Sequence, residues 1–150
     1  MSLNEEVELL RNIPLFAKLE PSKLKLLAFT SERITYEADQ VLFCQGDVGD
    51  AAYIIIEGAA KVLVDTDQGQ IEVAALGRND FVGEIAILCD VPRTATVKAS
   101  AKTVTLRITK DLFFRLVAEF PEMSVEIMRE LASRLEHTTQ QLREALAQRK

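Results

Sequence analysis

The chain has 150 residues, of which 48% are hydrophobic and 27% are charged, and its formal net charge is −5 at pH 7. This size and composition are typical of one globular domain that buries a core without metals or disulfides, and no segment is apolar over the roughly 20 residues of a membrane span. The acidic balance argues against nucleic-acid binding by this chain alone, because such binding depends on Lys and Arg that neutralise phosphates.

The first 30 residues predict two short helices. The first begins with acidic residues, unlike a secretion signal, and is expected to stop at Pro14. The second begins near Pro21 and places Leu24, Leu27 and Ala28 on one face. An acidic start of this kind predicts a cytoplasmic protein, so Cys44 and Cys89 are expected to be reduced residues of the core.

Between residues 32 and 108 the hydrophobic period changes to two. Turn-forming stretches such as "QGDVGD" and "GRND" separate roughly eight short segments, which predict half-buried strands. The alternating apolar positions include Ile34, Tyr36, Ile71, Val73, Ala75, Val104, Leu106 and Ile108. Many short antiparallel strands in one domain favour an eight-stranded β-barrel or jelly roll over a doubly wound sheet.

The helical period returns after Ile108 and continues to the end of the chain. Thr109 is a candidate cap for the first helix, and the second helix begins at Pro121 and would be about 40 Å long. Its apolar positions form a heptad seam with two polar members, at Ser124, Met128, Leu131, Leu135, Thr138, Leu142 and Ala145. Such a seam predicts a parallel homodimer.

The whole chain is therefore predicted to be one domain, mainly β with flanking helices. A helical lead-in covers residues 1–30, the barrel residues 32–108 and the C-terminal helices residues 109–150.

The stretch "FVGEIAILCDVPRTATV", residues 81 to 97, contains the best candidate for a binding site. A helix of about one turn after Gly83 buries little, but its free N–H groups suit an anion. Gly83 also allows a ligand to approach the backbone. Arg93 can pair two phosphate oxygens at once, whereas Glu84 is suited to accept hydrogen bonds from hydroxyls. Phosphate together with hydroxyls indicates a sugar phosphate or a nucleotide.

This stretch resembles the phosphate-binding cassette of the cyclic nucleotide-binding domain family. The family pattern is Phe-Gly-Glu-(Ile/Leu)-Ala-Leu followed by Pro-Arg-(Thr/Ala/Ser)-Ala. The matching positions here are Phe81, an inserted Val82, Gly83, Glu84, Ile85, Ala86, Ile87, Pro92, Arg93, Thr94 and Ala95. The resemblance extends over nearly the whole chain through "IPLFAKLEPSKLKLLA" and "VLFCQGDVGDAAYIIIEG". One departure is Asp39, which stands where the family usually has a glycine in a turn.

The resemblance implies a role for each matching residue. Glu84 would hold the ribose 2'-hydroxyl and Arg93 the cyclic phosphate, with the N–H groups near Ala86 and Thr94 on the remaining phosphate oxygens. The base would lie against Val73 and Leu76. The implied ligand-binding set also includes Val82, Gly83, Ile85 and Ala95. The segment "ASRLEHTTQQL" is similar to the long helix of the bacterial catabolite activator branch, and this likeness adds Arg134, Thr138 and Thr139. The ligand would be cAMP or cGMP, and no other cofactor is expected.

Other interpretations exist for the same residues. Glu84 and Arg93 could form only a surface ion pair, Thr138 and Thr139 could be polar positions of the seam, and His137 is expected to be a solvated helix residue. If they form the site, we expect Glu84 and Arg93 to serve the ligand and not the core.

The expected function is that of a non-catalytic sensor that couples nucleotide occupancy to its C-terminal helix. The alternative is the sensor part of a catabolite activator-type transcription regulator, without the helix-turn-helix domain in this sequence; the output would otherwise pass to a separate effector protein. A metal-dependent jelly-roll enzyme is disfavoured, because such a site needs several His and carboxylate ligands and the chain has one histidine.

Overall fold

The structure, a computed structural model, describes residues 3–13 and 16–148. Over these residues the chain forms five helices and eight strands, in the following order: α1 (Leu3–Arg11), α2 (Pro21–Thr30), β1 (Glu32–Tyr36), β2 (Val41–Phe43), β3 (Ala51–Glu57), β4 (Ala60–Thr66), β5 (Gly69–Leu76), β6 (Phe81–Val82), α3 (Glu84–Cys89), β7 (Thr96–Ala99), β8 (Thr103–Thr109), α4 (Lys110–Glu119) and α5 (Pro121–Ala147). The helix stop predicted at Pro14 lies outside the described residues. The starts predicted near Pro21 and at Pro121 are confirmed, and the Thr109 hydroxyl caps α4 by accepting from the N–H of Leu112 at 3.3 Å.

The eight strands form two four-stranded antiparallel sheets in the described part of the chain. The first sheet has the order β1-β8-β3-β6 and the second the order β2-β7-β4-β5. The strand pairings that the structure contains stay within each sheet, so the sheets are stacked and not closed into a barrel. The predicted antiparallel, jelly-roll-like fold is confirmed, whereas closure into a β-barrel is wrong.

The first sheet is the middle layer, with helices on one face and the second sheet on the other. Along β3, Ile54 packs in a core shared with the helices, whereas Tyr53 and Ile55 pack in a core shared with the second sheet. Successive side chains of a strand point to opposite faces, so a strand between two layers is buried on both. This explains the run of six buried residues from Ala51 to Ile56.

Strand β5 does not follow the predicted half-buried pattern. The side chains of Ile71 and Val73 are 45% and 48% exposed, and β5 is the edge strand of the outer sheet. A β-bulge interrupts its pairing with β4: Ala74 faces Val62 and Glu72 faces Leu63, which leaves Val73 as the extra residue. A bulge redirects the side chains around it.

Helix α5 packs on the core near its start and extends from it afterwards. Met123 and Ile127 are buried and Leu131 is partly buried against the core, so Leu131 is not free for the predicted seam. Exposed apolar side chains continue along the rest of the helix at Met128, Leu135, Leu142 and Leu146. No helix among the described residues has the length and apolar character required to cross a bilayer.

Two local predictions from the sequence meet different outcomes. Cys44 and Cys89 are both free and exposed, so their assignment to the core is wrong: Cys44 directly follows β2, and Cys89 is the last residue of α3. Asp39 adopts the left-handed conformation, with φ of 72°, that a glycine would adopt in the same turn. Asp is among the few residues that tolerate this conformation, and its turn is therefore retained.

Candidate functional site

Gly83 connects β6 to the short helix α3 that the sequence predicts. It is the N-cap of α3 with φ of 93°, in the left-handed region. A Cβ at this position would lie 2.6 Å from Nη1 of Arg93 and 3.2 Å from the carbonyl oxygen of Ala51. Both the backbone conformation and the approach of Arg93 therefore require glycine.

The guanidinium of Arg93 lies inside the protein. The residue is 4% exposed, and it donates from Nη1 to the carbonyl of Gly83 at 2.9 Å and from Nη2 to the carbonyl of Ala51 at 2.7 Å. Its Nε is buried and has no hydrogen-bond partner among the described residues. Burial lowers the pKa of Arg93, but an arginine keeps its charge under all ordinary conditions, so the group is a buried cation with donor capacity left.

The carboxylate of Glu84 is buried and bound to a residue of the long helix. Glu84 is 2% exposed, and its Oε1 accepts from Nη1 of Arg134 at 2.6 Å. Arg134 also donates to the carbonyl of Phe81, lies 4.7 Å from the centre of the Phe81 ring and has its Nε 3.5 Å from Oε1 of Glu130. Arg134 therefore joins α5 to β6 and α3.

These contacts decide between the two interpretations of Glu84 and Arg93. Each residue is buried and has its own partners: Arg134 for Glu84, and two backbone carbonyls for Arg93. The surface ion pair is therefore wrong. The expectation that neither group serves the core is also wrong, because Arg93 holds the carbonyls of Gly83 and Ala51 and Glu84 holds Arg134 of α5. Their role towards a ligand stays a prediction.

A cavity of about 540 Å³ lies between β5, the segment 82–97 and α5. Twelve of the predicted site residues line it: Val73, Leu76, Val82, Gly83, Glu84, Ile85, Ala86, Arg93, Thr94, Ala95, Arg134 and Thr138. The thirteenth, Thr139, is exposed and does not line the cavity. Successive residues of a helix point about 100° apart, and Thr139 lies beyond the edge of the α5 face, between Glu130 and Gln141, that lines the cavity.

The cavity is also lined by residues that the sequence did not single out as ligand contacts. These are Phe43, Val62, Ala74, Ala75, Asp80, Val97, Glu130, His137 and Gln141. Three of these residues, Glu130, His137 and Gln141, lie on α5 on the same helix face as Arg134 and Thr138, at spacings of three, four and one. The helical period could therefore have predicted them once Arg134 was assigned to the site. The others lie on the four strands of the second sheet or, for Asp80, in the loop before β6, and only the pairing of those strands brings them together.

The arrangement combines a buried cation, a buried carboxylate and apolar walls. It can hold an anion at Arg93, hydroxyl donors at Glu84 and a flat apolar group against residues such as Val73. In the described ranges, no group of three or more His, Cys, Asp or Glu side chains is arranged to hold a metal ion.

Burial of Glu84 predicts a pH dependence of stability. Burial raises the pKa of Glu84 above its ordinary value of 4.5, against the opposing effect of Arg134. The folded protein then binds this proton more readily than the unfolded chain, so the contribution of Glu84 is present at low pH and is lost as pH rises through the folded-state pKa. The variant Glu84→Gln cannot titrate at this position and is the reference. We expect the difference between the melting temperature of the parent protein and that of Glu84→Gln to fall as pH rises above about 4.5. Thermal unfolding of both unliganded proteins measures this difference, and an increase with pH would contradict it.

Comparisons with known proteins agree with this geometry. The family model "Cyclic nucleotide-binding domain" matches residues 33–120. The cAMP-dependent protein kinase regulatory subunit of Blastocladiella emersonii is 33% identical over 115 residues, which are 76% of this chain and 28% of that protein. The CRP-like cAMP-activated global transcriptional regulator of Mycobacterium tuberculosis is 28% identical over 136 residues, 90% of this chain and 61% of that protein.

A solved structure is similar over most of the fold. The catabolite activator protein of Thermus thermophilus superposes with a TM-score of 0.77 at 27% identity, covering 89% of this chain and 63% of that one. The chain thus spans less than two thirds of the length of each of these three relatives. Because the family model matches more than half of its residues, the chain belongs to the cyclic nucleotide-binding domain family.

Proposed function

We propose that the chain is a non-catalytic sensor that binds one cyclic purine nucleotide, cAMP or cGMP, in the cavity and couples its presence to helix α5. The observation that carries this proposal is the contact between Glu84 and Arg134. The carboxylate that would receive the ribose is bonded at 2.6 Å to a side chain of the long helix, so site and helix share one interaction.

The proposed roles follow the positions of the side chains around the cavity. Arg93 binds the cyclic phosphate through the N–H groups that do not donate to the carbonyls of Gly83 and Ala51. Backbone N–H groups near Ala86 and Thr94 bind the remaining phosphate oxygens. Glu84 accepts from the ribose 2'-hydroxyl. The base lies between the β5 wall, at Val73 and Leu76, and the face of α5.

Coupling requires that the nucleotide bind two arrangements of α5 with different affinity. A ribose hydroxyl that donates to Glu84 competes with or reorients the Arg134 guanidinium, and Arg134 also holds the carbonyl of Phe81. Binding would therefore change the contacts that fix α5 beside β6 and α3. The relatives named as a cAMP-dependent kinase subunit and a cAMP-activated regulator favour an output through another domain or an effector protein.

We further propose that α5 forms a parallel homodimer. With Leu131 on the core and Thr138 on the cavity, the exposed positions Met128, Ala132, Leu135, Thr139, Leu142 and Leu146 remain. They alternate at steps of four and three, which is the spacing of a coiled-coil seam. This seam shares Met128, Leu135 and Leu142 with the predicted one. Its other members, Ala132, Thr139 and Leu146, were not predicted as part of the seam.

Titration of the purified protein with cAMP, cGMP and noncyclic AMP tests the nucleotide proposal. We expect saturable binding of a cyclic nucleotide and at least about tenfold weaker binding of noncyclic AMP, whose extra phosphate charge and open ring do not match one buried Arg93. Glu84→Gln is expected to weaken binding of the cyclic nucleotide, because an amide is a weaker acceptor than a carboxylate. That loss should largely disappear with the 2'-deoxy ligand, which has no hydroxyl to donate. Equal binding of all three nucleotides, or none of any, would contradict the proposal.

A further inference from the structure

The surroundings of the Arg93 guanidinium include two residues to which nucleotide binding, as proposed above, assigns no role. The centre of the Phe43 ring in β2 lies 4.0 Å from Cζ of Arg93, a distance at which a ring attracts a cation. Phe43 in turn packs against Tyr53, with ring centres 5.8 Å apart. Gly49, in the loop before β3, lies so close that a Cβ there would stand 3.2 Å from Cζ and Nε of Arg93 and 2.3 Å from Cβ of Ala86.

The backbone of the same loop is bonded to the backbone of Arg93. The N–H of Gly46 donates to the carbonyl of Arg93 at 2.8 Å, and the N–H of Arg93 donates to the carbonyl of Asp47 at 2.8 Å. This pair of bonds fixes residues 46 and 47 beside Arg93, and Gly49 follows two residues later. The loop and the arginine therefore form one packed unit.

This packing fixes the orientation of a side chain that is otherwise long and flexible. Two of the five N–H groups of the guanidinium are used on the carbonyls of Gly83 and Ala51. The Nε–H is buried without a partner in the described part of the chain. A buried donor without an acceptor is unfavourable, and an anion at this point would satisfy it.

We propose that Phe43 and Gly49 are positioning residues for anion recognition: they hold the plane of the Arg93 guanidinium so that its unused N–H groups, including Nε–H, meet the cyclic phosphate. The inference rests on the proposed nucleotide binding. Neither residue offers a side-chain donor, so both act through Arg93. Because Phe43 also lines the cavity, the test must separate this role from direct contact with the ligand.

Calorimetric titration of cAMP and cGMP into variants makes this separation. Loss of a cation–π contact in Phe43→Leu is expected to weaken binding roughly 2- to 30-fold, and the conservative variant Phe43→Tyr should restore most of the affinity. In the Arg93→Gln background, where no cation remains, Phe43→Leu should change the affinity less than about 2-fold. An equal loss in both backgrounds would show that Phe43 contacts the ligand directly and would overturn the proposal.

The Nε–H signal of Arg93 in an ¹H–¹⁵N spectrum gives a readout that does not depend on nucleotide affinity. The signal is identified by its loss in Arg93→Lys. In the parent protein we expect it to be shifted by the ring current of Phe43 and to exchange slowly with water; in Phe43→Leu and in Gly49→Ala it should move and exchange faster.

The outcomes distinguish the two proposals. If the parent protein binds no cyclic nucleotide, the proposed function fails, while the Nε–H signal still reports whether Phe43 positions Arg93. If a cyclic nucleotide binds but the Nε–H shift and exchange rate are the same in Phe43→Leu as in the parent protein, the positioning role is overturned. Should Gly49→Ala not fold, the two Phe43 variants decide the question.

Discussion

Replacement of Arg93 by leucine is expected to weaken cyclic nucleotide binding by roughly 30-fold to several-thousand-fold. Arg93 is 4% exposed and is the cation that lines the cavity in the segment after α3. Without it the phosphate faces only backbone donors. Removing one partner of a buried charged pair costs about 2–5 kcal/mol, and each 1.4 kcal/mol is a factor of ten in affinity.

The same substitution is also expected to lower stability. It leaves the carbonyls of Gly83 and Ala51 without the donors that Arg93 supplies, and an unsatisfied buried acceptor costs about 1–3 kcal/mol. Relief from burying the guanidinium offsets part of that cost. We therefore expect a melting temperature a few degrees lower, at roughly 2–4 °C per kcal/mol for a chain of this size.

Two measurements separate these effects. Calorimetric titration at a temperature where both proteins are fully folded gives the loss of binding, and thermal unfolding of the unliganded proteins gives the loss of stability. Arg93→Lys is the matched control: it keeps the charge without the planar fork, so its affinity should fall between those of the parent and Arg93→Leu. Binding of Arg93→Leu with parent-like affinity would show that the phosphate does not lie at Arg93.

Replacement of Leu135 by glutamate is expected to abolish the proposed homodimer. Leu135 is 69% exposed, and it lies at the middle of the exposed seam between Met128 and Leu142. In a symmetric dimer the substitution brings two carboxylates together in an apolar interface, and a buried charge without a partner is strongly unfavourable. The dissociation constant of the dimer should rise at least about 100-fold, equivalent to about 2.7 kcal/mol or more.

Molar mass in solution, measured over a range of concentrations by light scattering or sedimentation, checks this expectation. Ser133→Glu adds the same charge to the same helix at an exposed position outside the seam, and it should leave the dimer intact. A parent protein that is monomeric at micromolar concentration with nucleotide bound would contradict the dimer. So would an unchanged mass of Leu135→Glu.

The antiparallel jelly-roll-like fold and the long C-terminal helix could be predicted from local patterns. A hydrophobic period of two, broken by turns, specifies short strands whatever their partners, and a period of 3.6 specifies the helices. The short helix after Gly83 was also predictable from a local pattern, because a glycine is followed by a run of apolar residues too short for a core helix and then by Pro92. Glu84 and Arg93 stood out because their side chains have chemistry that suits a phosphate and a sugar.

The tertiary structure alone decided how those residues are bonded. The sequence placed Glu84 and Arg93 nine residues apart, but Glu84 binds Arg134, fifty residues later, and Arg93 binds the carbonyl of Ala51, forty-two residues earlier. Contacts between residues so far apart depend on how the sheets and α5 pack, which no local pattern records. The same packing turns Leu131 to the core and Thr138 to the cavity, and so determines which face of α5 stays exposed.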